Sequence, residues 1–170
     1  MNDCNFNGYT IRKIRAEDNT AIAHIIRYNL KERGLDIPGT AYFDPFLDVF
    51  STYYEGKDDA DYFVLTDSNG LVVGGIGFEK TDIVPESAEL QKIYLDDSVK
   101  GQGLGYALIE FIEERMREAG VKSSYLETHT NLDVAIHLYE KTGYRRIDRP
   151  ANVGHSTMDH FYIKELYGND

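Results

Sequence analysis

The chain holds one cysteine, Cys4, so no disulfide can form within it. That usage fits a reducing compartment, and cytoplasmic residence is the expectation. Cys4 lies in what reads as a tail, with no histidine beside it, which speaks against a cysteine nucleophile. No apolar run approaches the length of a membrane span. The opening Met1-Asn-Asp-Cys-Asn-Phe-Asn-Gly8 lacks the basic-then-apolar pattern of an export signal. Cations are scarce: 18 Lys and Arg stand against 29 Asp and Glu, for a net charge of −11. With no basic stripe to displace counterions, neither nucleic acid nor a membrane is an expected partner. The acid surplus either attracts a cationic substrate such as an amine or merely solvates the surface. His24, His137, His155 and His160 show no ligand spacing and read as surface or edge residues, so no metal is expected.

What is present describes a globular protein. At 170 residues, with 42% apolar and 28% charged side chains, the chain suits one domain spanning 1–170. Alternation predicts strands at 9–15, 62–67, 71–79, 88–95 and 123–127, with two last strands at 144–147 and 158–166. Asp67-Ser-Asn-Gly70 is a hairpin turn between the second and third of these. Helical spacing predicts a helix that starts at Glu17-Asp18, buries Ile22, Ile25, Ile26 and Leu30, and stops at Gly34. Further helices are expected over 43–54, 103–119 and 132–142. Hairpins early and strand–helix crossovers late imply an α/β chain with a mixed, partly antiparallel sheet and helices on its faces.

The most informative stretch joins the strand 88–95 to the helix 103–119 through Gly101, Gly103 and Gly105. Free amides and a positive helix end at the tip of a strand form a phosphate trap. A P-loop needs Lys-Ser/Thr after its last glycine, and here Tyr106-Ala107 follows. A dinucleotide fingerprint from Gly101 needs glycine or alanine at 106, and an acid at the tip of the next strand. Position 106 is tyrosine, and 121–126 holds no acid. Both nucleotide readings fail.

Two motifs in order then carry a resemblance: Lys100-Gly-Gln-Gly-Leu-Gly105 and, downstream, Ala135-Ile-His-Leu-Tyr-Glu-Lys-Thr-Gly-Tyr144. Together with Ile11-Arg-Lys-Ile-Arg-Ala-Glu-Asp18 and Leu71-Val-Val-Gly-Gly-Ile-Gly77, they resemble the GNAT superfamily of acyl-CoA-dependent N-acyltransferases over roughly residues 9 to 166. Lys100 departs from the usual Gln or Arg, keeping charge but losing the planar fork. Asn131 stands four residues before Ala135 rather than the usual three, and is either a cofactor contact or the helix N-cap.

The resemblance implies a mostly antiparallel sheet of six or seven strands, about four helices, and a parallel pair, 88–95 and 123–127, that splays into an acyl-CoA cleft. The pantetheine arm would pair with the backbone of Ile93, Tyr94 and Leu95, and the Leu95 N–H would face the developing oxyanion. Lys100, Gly101, Gln102, Gly103, Leu104, Gly105 and Tyr106 would hold the pyrophosphate, with Asn131 beside them. Tyr139 would protonate the leaving thiolate, since a phenol is neutral at neutral pH. Glu89 is the favoured base for the acceptor amine, with Glu79 and His129 as alternatives. The implied activity is N-acetyl transfer from acetyl-CoA to a primary amine by direct attack; the alternative is a non-catalytic acyl-CoA-binding module. Small amines and peptide N-termini both remain as acceptors, received by 28–54 and 149–157. There Tyr28, Tyr42, Phe43, Asp44, Asp48, Tyr53 and Tyr54 would suit an amine with an apolar body, while Phe46 and Phe50 read as an inner face. The strand 158–166, read as an edge, is a candidate for pairing across a homodimer.

Overall fold

The structure is a computed structural model that describes residues 3–168. Residues 1, 2, 169 and 170 of the expected domain range lie outside the described residues. Eight strands form one sheet: β1 (Cys4–Phe6), β2 (Tyr9–Lys13), β3 (Ala60–Thr66), β4 (Val72–Thr81), β5 (Ser87–Leu95), β6 (Ser123–Thr128), β7 (Arg145–Ile147) and β8 (His160–Glu165). Their order is β1-β2-β3-β4-β5-β6-β8-β7. Every neighbouring pair is antiparallel except β5 and β6. The helices are α1 (Asn19–Glu32), α2 (Phe50–Tyr54), α3 (Leu104–Glu118) and α4 (Asp133–Lys141).

Burial on both faces explains the central strands. Alternation along β3 sends Tyr62 and Val64 to a core shared with α1 and α2, and Phe63 and Leu65 to a core shared with α3. On α1 the buried stripe is Ile22, Ile25, Ile26 and Leu30. Gly34, at φ +69°, ends that helix, and the Leu35 N–H returns to the Leu30 carbonyl at 2.8 Å. Across the sheet, α3 buries Leu104, Leu108, Ile109, Ile112 and Met116. Its buried Glu113 is tied to Lys164 of β8 at 2.7 and 2.8 Å.

Three expectations change. An eighth strand, β1, adds to the six or seven foreseen. It is closed by Asn7-Gly8, both at positive φ, a turn whose twist matches a two-residue hairpin. Cys4 therefore lies exposed on an edge strand rather than in a tail. The helix expected over 43–54 shrinks to α2, preceded by two short 3-10 turns. Pro45 is the cause: it has no N–H to give and holds Asp44 extended, at φ −58° and ψ 121°. The strand 158–166 is not an edge either. β8 pairs with β6 along its whole length on one side and with β7 over Phe161–Ile163 on the other, so the sheet edge at this end is β7.

Candidate active site

The parallel pair is joined for three residues only: Ser87, Ala88 and Glu89 oppose Ser123, Ser124 and Tyr125. Beyond Glu89, β5 runs on to Leu95 without a ladder to β6, and the strands part around a cleft of about 480 Å³. A bulge sharpens the parting. The β4–β5 register slips between Gly75 and Gly77, and Lys92 takes a positive φ of 49°. Tyr62 pins the bulge by donating from its hydroxyl to the Lys92 carbonyl at 2.8 Å. Past the bulge, the Asp96 N–H goes back to the Val73 carbonyl, so alternation turns the main-chain groups of Leu95 toward the gap. The Leu95 carbonyl there accepts from Asn29 Nδ2 at 3.0 Å. The side chains of Ile93 and Leu95 pack with the α3 core, and Tyr94 with the α1 core.

The glycine turn closes one end. Gly101 and Gly103 have φ of +77° and +76°, with open space where a Cβ would be. They are glycines for their backbone conformation rather than for room. Gly105 is different: a Cβ there would meet Leu138 Cδ2 at 2.9 Å, so it sets the approach of α3 to α4. The amides of Leu104, Gly105 and Tyr106 lie in the first turn of α3, ahead of the first helical bond, Ala107 N–H to Gly103 C=O at 3.3 Å. They are free to receive anionic oxygens. Lys100 Nζ is held by Asn29 Oδ1 at 2.7 Å and Asp97 Oδ1 at 2.5 Å. The cleft wall includes Lys100, Gly101, Gly103, Leu104, Gly105 and Tyr106 but neither Gln102 nor Asn131. The Gln102 amide accepts from Tyr9 Oη at 3.0 Å, and the Asn131 amide donates to the Arg33 carbonyl at 2.9 Å. Nor is Asn131 an N-cap, for α4 begins after Leu132.

Tyr139 and Glu89 line the same cleft. Tyr139 sits on α4, 5% exposed, with no hydrogen bond from its hydroxyl among the described residues. Burial, and then Tyr94, push its phenol well above the ordinary value, so it is a proton donor at neutral pH. Burial, and then the charge of Glu127, raise the Glu89 carboxyl to about 7. A hydrogen bond from Gln91 Nε2 at 3.3 Å and the charges of Lys92 and His155 offset that rise only in part. The alternative bases are engaged elsewhere. Burial raises Glu79, but hydrogen bonds from Lys57 at 2.6 Å and Tyr53 at 2.7 Å outweigh it and hold the carboxyl below its ordinary range. His129 Nδ1 accepts the Asn131 N–H at 3.0 Å, and neither residue reaches the cleft wall.

Sequence reasoning missed three groups at this end, Glu127, His155 and Lys92, though it named their neighbour Asp44. Glu127 lines the cleft and is raised by burial. His155 Nε2 meets Asp44 Oδ1 at 3.0 Å, and Asp44 Oδ2 meets Lys92 Nζ at 3.1 Å. The Glu127 signal was available: it lies two residues past Tyr125, on the same face, where the partner strand leaves. Nothing in the sequence marks His155, which arrives on a loop. That loop is clasped to the one after α1. Thr157 Oγ1 donates to the Pro38 carbonyl at 2.8 Å, and Gly39, at φ +80°, lies so close to Ser156 and Thr157 that no Cβ fits. Of the expected acceptor ring, Asp48 faces outward in a two-point pair with Arg27 at 2.7 and 3.0 Å, and Tyr28 donates to Asp97. Phe50 is buried, and Phe46 stacks on Tyr53 with ring centres 4.2 Å apart.

Comparison with known proteins agrees with this geometry. Residues 30–144 match the model of the acetyltransferase (GNAT) family. YjgM, an uncharacterized N-acetyltransferase of Escherichia coli, is 36% identical over 159 residues, covering 92% of this chain and 94% of that protein. A GNAT-family acetyltransferase crystal structure from Staphylococcus aureus superposes with a TM-score of 0.82 at 19% identity, over 94% of this chain and 99% of the other. The PaiA N-acetyltransferase of Thermoplasma acidophilum, crystallised with coenzyme A, superposes at 0.70 with 19% identity, over 92% and 98% of the two chains. The chain belongs to the GNAT family of acetyltransferases.

Proposed function

We propose that this acetyltransferase moves an acetyl group from acetyl-CoA to a primary amine by direct attack, with no covalent enzyme intermediate, in one catalytic domain. The observation that carries the reading is the parting of β5 from β6 directly after Glu89, with Tyr139 in the wall of the gap that opens. The residues present fit the co-substrate. The unpaired edge of β5 would take the pantetheine amides as an added strand, and the turn from Lys100 to Tyr106 would hold the pyrophosphate. When bound, acetyl-CoA supplies an activated acyl carbon. Leu95 would offer its N–H to the acyl oxygen as charge develops there. Glu89, raised to about 7, would take the acceptor's proton, and Tyr139 would give one to the departing sulfur. Cys4, exposed on β1, has no part in this scheme.

Thiol release over a panel of amines, paired with a CoA thermal-shift titration, tests the proposal. CoA at 100 times its Kd should stabilise the fold by about 2.7 kcal/mol, and an amine acceptor should liberate thiol. CoA binding without thiol from any amine would reduce the protein to a binding module.

A further inference from the structure

Two carboxylates, Glu89 and Glu127, share the acceptor end of the cleft. Glu89 stands opposite Tyr125 in the short parallel ladder, and Glu127 is two residues further along β6, on the same face of the sheet. Lys92 and His155 draw the Glu89 carboxyl down in part, and His155 and Arg149 do the same for Glu127, but the side chains of all three are bonded elsewhere. From β4, Glu79 is held by Lys57 and Tyr53. From β5, Lys92 pairs with Asp44 of the loop after α1, which also takes His155 of the loop before β8. Arg149 of that second loop donates to the carbonyls of Met158 and Ser156, and Tyr54 of α2 donates to Gln91. Tyr125 donates to Glu127 Oε1 at 3.1 Å. Glu127 Oε2 is out of solvent and has no partner within hydrogen-bond geometry among the described residues, although the His155 main chain also favours the ionised carboxylate. An acceptor oxygen left in that state calls for a donor.

We propose that the two carboxylates divide the handling of the acceptor: Glu127 seats the incoming ammonium through its free oxygen, and Glu89 removes the proton. The acceptor class is then an aliphatic primary amine that arrives charged. The inference rests on the acetyl-transfer reading above. The ammonium gives one proton to Glu89, which becomes a neutral acid. The nitrogen lone pair forms a C–N bond to the acyl carbon and the C–S bond breaks. The sulfur leaves with its electron pair and takes the Tyr139 proton. The second nitrogen proton restores the phenol, and Glu89 returns its own to solvent. An ammonium between the two acids also offsets the repulsion from Glu127 that, after burial, raises the Glu89 carboxyl. An arylamine, neutral at the same pH, brings no charge for Glu127 to hold.

The test compares benzylamine with aniline on the wild type, Glu127→Gln and Glu89→Gln, with CoA thermal shift as the check on folding. The wild type should use benzylamine and neglect aniline. Glu127→Gln should raise the KM for benzylamine ~10-fold or more, the loss of a charged hydrogen bond, with kcat little changed. It should also move the acidic limb of the kcat profile to lower pH, because Glu89 loses a like-charged neighbour. Glu89→Gln should lower kcat by ~10²-fold or more with KM nearly kept. An unchanged benzylamine KM in Glu127→Gln, equal use of aniline, or exchanged effects of the two variants would each overturn the proposal. A wild type that binds CoA yet releases no thiol from any amine would bring down the acetyl-transfer reading itself, and this proposal with it.

Discussion

Burial is the first cause that raises both the Tyr139 phenol and the Glu89 carboxyl. The phenol has no hydrogen-bond partner among the described residues and is raised by burial, so at neutral pH it holds the proton that the proposed scheme passes to the departing sulfur. Tyr139→Phe should lower kcat toward the modest end of the general-acid range, ~10²-fold, while the CoA dissociation constant in a titration stays put. Glu89 carries a consequence for stability. Its folded carboxyl is raised from 4.5 to about 7. Between those values the unfolded chain releases a proton that the folded chain retains, so each step up in pH weakens the fold. The contribution is whole below about 4.5 and gone above about 7. The melting-temperature advantage of Glu89→Gln over wild type should therefore grow as pH climbs through that window, and a flat difference would contradict the assignment. Their place in the cleft wall was legible beforehand, Tyr139 through its motif and Glu89 through its strand. Asp44 was read as an acid of the acceptor region, but its partners Lys92 and His155, and Glu127, were not singled out, because those contacts exist only once distant segments meet. Gln102 and Asn131 show the converse. Each sits inside a recognisable motif, yet its side chain serves to fasten neighbouring elements.

Among the elements, the bulged pair β4 and β5 governs the opening. Gly75 and Gly77 leave space for the Tyr62 ring, and Tyr62 holds the Lys92 carbonyl. A Cβ on Gly77 would press on the Asp61 carbonyl at 2.7 Å and on the Tyr62 ring. The backbone cannot yield cheaply there. Gly77→Ala should cost about 1–3 kcal/mol in denaturant unfolding, as overpacking does, and should also weaken CoA binding as the bulge shifts. Strands and helices with a strong period were readable in the sequence: α1 and α3 bury the stripes that their spacing foretold. Two elements were not. The aromatic run 43–54 looks helical until Pro45 is given its due. β1 is too short and polar to show a period, and only its Asn7-Gly8 turn betrays it.

Seen whole, the protein is an acidic body, at net charge −11, with Glu89 and Glu127 in the wall of its cleft. Exposed charges act over a Debye length that shrinks from about 30 Å at 0.01 M salt to about 3 Å at 1 M. The KM of a cationic acceptor should therefore rise several-fold across that range while kcat holds, and steady-state kinetics in sodium chloride would show it. The sheet's general plan was legible in the chain. The placement of β8 inside it was not, because strand order depends on which neighbours a late hairpin finds. One last feature bears on how such a protein diversifies. The roof over the acceptor end comes from two stretches far apart in the chain, joined across 111 positions by His155 and Asp44 and fitted to each other where Gly39 leaves no space. Grafting either stretch alone from a cousin would jam or gape. New tastes in amines are thus inherited in matched pairs, like a hasp and its staple.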